Sequence, residues 1–311
     1  MGFRKFDRQS PLLKGNYNAA AEVRKASFAA WLKLHRKVRQ ENQPFTIISE
    51  EFLLRLQNVD RLKSFLDHIF DRVVIVAYIR NPLTRFPSSV DQRIRGGAPL
   101  FKLAKGRAAI PFVLPKLERY ANTFGLENLV VRNFDMANLV GGTPQSDFSY
   151  VVSNIVGEAL SLDTVKRMNE SIPAAVAAYL LRLNESAALD GQELTRADWV
   201  SRRELIKAIR QDESLMTGPK LHLNDDALVA HISAVFEDEI AEINRKFLIG
   251  QTGIELSENC SSLKKTEFRK RLSDWVYSFE DYDKSLKLSC LSASLDETLW
   301  TSVEAYKMPY G

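Results

Sequence analysis

Apolar side chains in the first part of the chain occur in two kinds of pattern, helical spacing and short continuous runs. Residues 18–40 and 49–66 carry apolar side chains near helical spacing, which predicts two helices, the second capped by Ser49. Between them, the short apolar run Phe45–Ile48 predicts a buried strand. The run Arg72–Ile79 is rich in β-branched residues and does not alternate with polar ones, as expected of a parallel strand covered on both faces.

Chain breakers separate this strand from the elements that follow it. Asn81 and Pro82 end the strand, and the pattern predicts a helix over 84–95. A further helical region is predicted to end at Gly125, since glycine commonly terminates helices. The run Asn128–Arg132 then predicts a third strand.

The second half of the chain is predicted to be helical. Apolar residues recur at helical spacing in four segments, 147–160, 172–185, 195–211 and 224–247. Strand–helix alternation followed by helices predicts an α/β fold, in which helices flank a parallel sheet core and a helical second half follows. We divide the chain into an irregular amino terminus (1–17), an α/β domain (18–250) and a carboxyl-terminal tail of unknown role (251–311).

Composition places the chain among soluble globular proteins. Of its 311 residues, 45% are hydrophobic and 26% are charged. The longest apolar run, Val73–Ile79, is far shorter than the roughly 20 residues that cross a bilayer. Neither a secretory signal nor a myristoylation site is predicted at the start of the chain. Cys260 and Cys290 match no metal-ligand spacing, which favours free thiols and a cytoplasmic location.

Positive charge is concentrated in one segment. The whole chain carries a net charge of +4, but residues 72–107 contain eight Arg or Lys and one acid, a local charge of +7. Such a concentration predicts an anionic ligand near this segment. Because the segment lacks interleaved aromatic residues and a helix-turn-helix pattern, it favours a phosphorylated nucleotide over nucleic acid.

Arg80 and Ser88 are the candidate site residues. Arg80 stands at the carboxyl end of the predicted strand, where α/β sheets bind ligands, and Ser88 follows eight residues later on the next helix. A guanidinium provides a two-pronged, permanently charged clamp and a hydroxyl adds a directed hydrogen bond. The pair therefore suits a phosphate monoester.

At this point the sequence resembles the sulfotransferases that use 3′-phosphoadenosine 5′-phosphosulfate. Their second nucleotide motif is an apolar strand, then Arg, then Ser eight positions on, so the resemblance implies that Arg80 and Ser88 hold the 3′-phosphate of the donor; Ser89 is a weaker candidate. Further segments resemble the bacterial branch of the family, in order and over about residues 45–250: Ile47–Phe52, Leu129–Phe134, Asp147–Phe148 and Asn169–Ser171.

The resemblance also implies an activity. Members of the family transfer a sulfuryl group from the nucleotide donor to a hydroxyl acceptor, here with a carbohydrate as one candidate, and the chemistry needs no metal. We expect a P-loop-like sulfotransferase fold that is incomplete at its amino terminus. A non-catalytic homologue that binds a nucleotide or a partner through a degenerate site is the alternative.

One expected motif is not found. The family opens with a strand and a glycine-containing loop that cradles the 5′-phosphosulfate, and nothing before Phe45 fits. Gly141 and Gly142 follow the third predicted strand too late, and Pro144 stands where an N–H is wanted. Without this loop, transfer would lose most of its electrostatic assistance. A truncated sequence and a naturally inactive homologue are the two explanations.

The catalytic base is left open. The family uses His or Glu to deprotonate the acceptor. Glu50 lies at the end of a predicted strand, a suitable place for a base, although a solvated residue at a helix start is the favoured interpretation. His35 and His68 lie on predicted helices and are interpreted as surface or packing residues, and His222 and His231 carry no signal.

Overall fold

The computed structural model describes residues 58–105, 110–162, 171–189 and 196–306, together with scattered positions between 29 and 56. The chain forms two compact units. The smaller consists of Met1–Ile75, Lys116–Val130 and Val152–Glu158, and the larger of Val76–Pro115, Val131–Val151 and Ala159–Gly311.

Helices make up most of the described structure. The helices, in chain order, are α1 (Val59–Leu66), α2 (Pro82–Arg95), α3 (Leu100–Leu103), α4 (Leu114–Phe124), α5 (Pro144–Val156), α6 (Ala174–Leu189), α7 (Arg196–Gln211), α8 (Asp226–Phe247), α9 (Lys265–Tyr277) and α10 (Tyr282–Tyr306). The strands are β1 (Ile75–Ile79) and β2 (Leu129–Asn133). None of the described helices combines the length and the apolar character needed to cross a membrane.

The sheet is smaller than the sequence predicts. β1 and β2 pair in parallel, and the Phe134 N–H donates to the Ile79 carbonyl at 2.8 Å where the strands end. The predicted strand Phe45–Ile48 is wrong, because these residues are irregular and the side chains of Ile47 and Ile48 are 45% and 36% exposed. A short apolar run becomes a strand only when a neighbouring strand bonds its backbone, and here none does among the described residues.

The helix after β1 begins two residues earlier than predicted. Asn81 caps α2, since its side-chain oxygen accepts the Leu83 N–H at 2.8 Å, and Pro82 occupies the first helical position, where its missing N–H costs nothing. Pro87 is tolerated inside the helix and is buried. β1 therefore delivers Arg80 directly to the start of α2.

The smaller unit contains α1 and the part of α4 from Lys116 onward. The helix predicted from residue 49 begins only at Val59, because Asn58, and not Ser49, caps it by accepting the Arg61 N–H at 2.9 Å. α4 ends at Gly125, as predicted, with a φ of 90° that favours glycine. Within the unit, the Thr123 hydroxyl donates to Asp60 at 2.8 Å.

The larger unit has a helical core. The predicted segments of the second half correspond to α5–α8, and Asp225 caps α8 by accepting the Leu228 N–H at 2.9 Å. Thr195, where the third of these segments is predicted to begin, lies outside the described residues. The described residues after 264 form α9 and α10, and Phe268 and Trp275 of α9 pack against Phe86 of α2, with ring centroids 6.5 and 5.5 Å apart. This segment therefore contributes to the core.

Candidate functional site

Arg80 lies at the junction of β1 and α2. Its side chain is exposed, and its Nε donates to the Thr84 hydroxyl oxygen at 3.3 Å. No carboxylate pairs with this guanidinium among the described residues. Partial burial lowers the pKa of Arg80 from its ordinary value, but the side chain remains a cation at neutral pH. A fixed cation without a protein counter-charge favours an anion at this position.

Thr84 connects Arg80 to the helix face that carries Ser88. The Thr84 hydroxyl donates to the Asn81 carbonyl at 3.1 Å while it accepts from Arg80. Ser88 follows Thr84 by four residues and is half-buried, so both side chains lie on one face of α2. The structure brings Arg80 to Thr84, and no bond between Arg80 and Ser88 themselves is seen among the described contacts.

The start of α2 adds to the positive potential around Arg80. The first turn of α2 contains no acidic residue, and the amino end of a helix carries a partial positive charge. The Asn81 side chain accepts the Leu83 N–H, and Arg80 and Thr84 stand at this same end of the helix. An anion bound by Arg80 would gain this stabilisation as well.

Two arginines of the basic stretch are used to hold the fold. Arg93 donates to the backbone carbonyls of Lys102 and Leu103, the latter at 3.1 Å. Arg95 pairs with the buried carboxylate of Asp91 at 2.8 Å. Asp91 is already subtracted in the net charge of residues 72–107, whereas Arg93 counts towards that charge although backbone carbonyls engage it.

A buried polar network links both strands to α5. The Tyr78 hydroxyl of β1 donates to the Asp147 carboxylate at 2.7 Å, and Arg132 of β2 donates to it through Nε at 3.1 Å. The Val140 N–H donates at 2.9 Å. Burial alone would raise the pKa of Asp147, but the donors, chiefly Arg132, hold it below its ordinary value. Burial, together with the bond to Asp147, raises the pKa of Tyr78.

This network joins two segments that the sequence analysis singles out separately. Arg132 and Asp147 belong to two separately recognised segments, and the structure joins them as an ion pair. The resemblance did not single out Tyr78; its position on β1, two residues before Arg80, is the only signal in the sequence. Gly141 follows Val140 and has a φ of 70°. Gly141 and Gly142 therefore form the turn whose Val140 N–H binds Asp147.

The segment 251–255 lies against the carboxyl ends of both strands. The Gln251 side chain accepts from Arg132 at 3.0 Å, and the Asn133 amide donates to the Thr252 carbonyl at 3.2 Å. The Asn81 amide donates to the Glu255 carbonyl at 2.6 Å. These contacts fix the strand ends near Arg80, and no short-range pattern in the sequence predicts them.

The structure does not identify a base. Glu50 lies outside the described residues. His68 is exposed, and its ring nitrogen bonds the Ser64 carbonyl, while His231 is buried and accepts the Leu263 N–H at 3.0 Å. In the part of the chain that the structure describes, no group of three or more His, Cys, Asp or Glu side chains is arranged to hold a metal.

Comparison with known proteins identifies no relative. No family model matches the chain, and neither the curated proteins nor the solved structures contain a similar one.

Proposed function

We propose that Arg80 and Ser88 bind the 3′-phosphate of an adenosine nucleotide, and that the chain is a sulfotransferase-like protein using 3′-phosphoadenosine 5′-phosphosulfate. The observation that carries this proposal is the bond from Arg80 Nε to the Thr84 hydroxyl, on the helix face shared with Ser88. It fixes the guanidinium at the carboxyl end of a parallel strand, with no carboxylate bonded to it among the described residues.

A phosphate monoester suits this arrangement for three reasons. Its two negative charges favour a cation that does not titrate near neutral pH. Because Nε is engaged by Thr84, the outer nitrogens of the Arg80 guanidinium are oriented and can donate to phosphate oxygens. The positive end of α2 and the Ser88 hydroxyl add further stabilisation on the same side of the helix.

In the proposed reaction, the donor is held by groups remote from the bond that breaks. An acceptor hydroxyl oxygen attacks the sulfur in line, the bond between sulfur and the bridging oxygen breaks, and adenosine 3′,5′-bisphosphate leaves with that electron pair. A base takes the hydroxyl proton. Arg80 and Ser88 position the donor, since binding at a remote group helps to orient a reacting centre. A carbohydrate hydroxyl is a candidate acceptor.

Calorimetric titration with adenosine 3′,5′-bisphosphate tests the site. We expect binding by the unmodified chain, and Arg80→Ala should weaken it about 10- to 100-fold, the typical effect of losing a charge-assisted clamp. The affinity of Arg80→Lys should lie between those of the unmodified chain and Arg80→Ala, because an ammonium retains the charge but not the two-pronged geometry of a guanidinium. Ser88→Ala should cause a smaller loss.

Arg72→Ala is the matched control. It removes the same charge from the same basic stretch, from an exposed side chain before β1, and should leave affinity nearly unchanged. No binding by the unmodified chain, or equal losses in Arg72→Ala and Arg80→Ala, would contradict the site assignment.

A second candidate function is a non-catalytic nucleotide- or partner-binding homologue. The irregular conformation of Phe45–Ile48, in which Ile47 and Ile48 are exposed, favours it, because the strand that the enzyme interpretation expects there is not formed. A sulfuryl-transfer assay with the nucleotide donor and a panel of carbohydrate acceptors separates the two. Transfer that is lost in Arg80→Ala supports the enzyme, whereas bisphosphate binding without transfer supports the binding protein.

A further inference from the structure

The larger unit contains a cavity between α8 and α9 that the proposed function does not use. Its volume is about 530 Å³, within the range of small-molecule sites in proteins. α8 contributes His231, Ala234 and Val235, whose spacing places them on one helix face, and α9 contributes Lys265 and Phe268. The connecting segment supplies the rest of the lining.

The inner part of the cavity is apolar and well supported. Ala234 and Val235 are half-buried, and Phe268 is only 1% exposed. The Phe268 ring packs on the His231 ring, with centroids 4.8 Å apart, and on Phe86 behind it. These contacts hold the buried Phe268 ring in place, and the apolar surface open to a ligand comes from Ala234, Val235 and Leu263.

His231 contributes a neutral ring to this surface. Its Nδ1 accepts the Leu263 N–H at 3.0 Å, and a ring nitrogen can accept only when it carries no proton. The imidazole is therefore uncharged, with its proton on Nε2. Among the residues that line the cavity, the positive charge comes from Lys265.

The surroundings of Lys265 favour an anion at that end of the cavity. Lys265 is exposed at the first position of α9, and no carboxylate pairs with it in the described part of the chain. Nearby on α9, Arg269 and Lys270 are also exposed, while Glu267 is engaged by the Lys264 N–H at 3.0 Å. On α8, the acidic residues Glu237 and Asp238 follow Val235 and would repel an anion. An anionic group is therefore favoured at the end of the cavity that α9 forms.

We infer that this cavity binds a small amphipathic acid, with its apolar part against Ala234 and Val235 and its carboxylate at Lys265. A single exposed ammonium matches one negative charge, and Lys265 is the one Lys or Arg among the residues that line the cavity. The inference stands independently of the nucleotide site, since it uses neither Arg80 nor Ser88.

Calorimetric titration of the full chain with decanoate and with decan-1-ol tests the inference. We expect saturable one-to-one binding of decanoate, and weaker binding of the alcohol by about tenfold, as one charge-assisted contact is lost. Lys265→Gln should reduce decanoate affinity to a similar extent. Lys270→Gln, which neutralises an exposed lysine of the same helix outside the cavity, should leave it within about twofold.

Ala234→Phe provides a second test, because it fills the cavity with a ring and should abolish decanoate binding. Its circular dichroism melting curve reports whether it folds, and Lys265→Gln remains decisive if it does not. The inference is overturned if the unmodified chain shows no saturable decanoate binding, if decan-1-ol binds equally well, or if Lys265→Gln and Lys270→Gln lose affinity equally.

Discussion

Arg132 of β2 and Asp147 of α5 form an ion pair in which the carboxylate is fully buried. Their side chains are 16% and 0% exposed, and Tyr78 and the Val140 N–H complete the hydrogen bonding of the carboxylate. A buried carboxylate with this many donors is held in one position. The pair thereby fixes the register of α5 against the end of the sheet.

Breaking this ion pair should strongly destabilise the protein. Asp147→Asn removes the charge that balances Arg132 and should lower the free energy of unfolding by about 3–5 kcal/mol, because the half-buried Arg132 guanidinium is left without its counter-charge. Urea unfolding measures the difference. Glu204→Gln, which removes a more exposed pair with Lys207, should cost less than about 1 kcal/mol. Equal effects of the two substitutions would show that the buried pair has no special role.

The stabilisation from Asp147 should depend on pH with a defined sign. Its pKa is held below the ordinary value of about 3.9, so the contribution is present above pH 4 and is lost as the pH falls through the folded-state pKa. The difference in unfolding free energy between the unmodified chain and Asp147→Asn should shrink over this range. Urea unfolding at a series of pH values measures it, and a difference that stays constant in acid would contradict the account.

Replacing Asn184 by aspartate should destabilise the protein more than replacing it by alanine. Its buried amide donates to the Ile94 and Ala98 carbonyls, both at 3.0 Å, and so binds the end of α2. Asn184→Ala removes two hydrogen bonds and should cost about 1–3 kcal/mol. Asn184→Asp places a buried anion against two carbonyl oxygens and should cost more. Thermal melting of both variants gives the order, and a more stable Asn184→Asp would oppose it.

Thr84 should affect nucleotide affinity through Arg80. If the proposed function is right, Thr84→Val should weaken binding of adenosine 3′,5′-bisphosphate by about three- to tenfold, as one hydrogen bond that orients the guanidinium is lost. Thr84→Ser, which keeps the hydroxyl, should restore most of the affinity. Calorimetry compares both with the unmodified chain. Unchanged affinity in Thr84→Val would show that Arg80 needs no such support.

The parts of the fold that the sequence predicts are those with local signals. A β-branched run followed by Asn81 and Pro82 gives both the strand and the start of α2, since capping and proline act over a few residues. Gly125 likewise ends α4 through its own backbone conformation. The helices of the second half follow from periodicity alone.

The parts that could not be predicted depend on distant partners. Phe45–Ile48 has the composition of a strand, but no strand pairs with it among the described residues. The bond from Tyr78 to Asp147 and the contacts of Gln251 join residues far apart in sequence, and no local pattern encodes them. At the candidate site, spacing in the sequence points to Arg80 and Ser88, whereas the contact of Thr84 with Arg80 depends on the fold.

The position of residues 251–255 has a consequence for how the chain matures during synthesis. They bond Arg132, Asn133 and Asn81 across sequence separations of 119 to 174 positions. A nascent chain therefore makes both strands long before it makes the segment that saturates their ends. Until that segment leaves the ribosome, the region around Arg80 lacks these contacts, and assembly of this part of the larger unit waits for it.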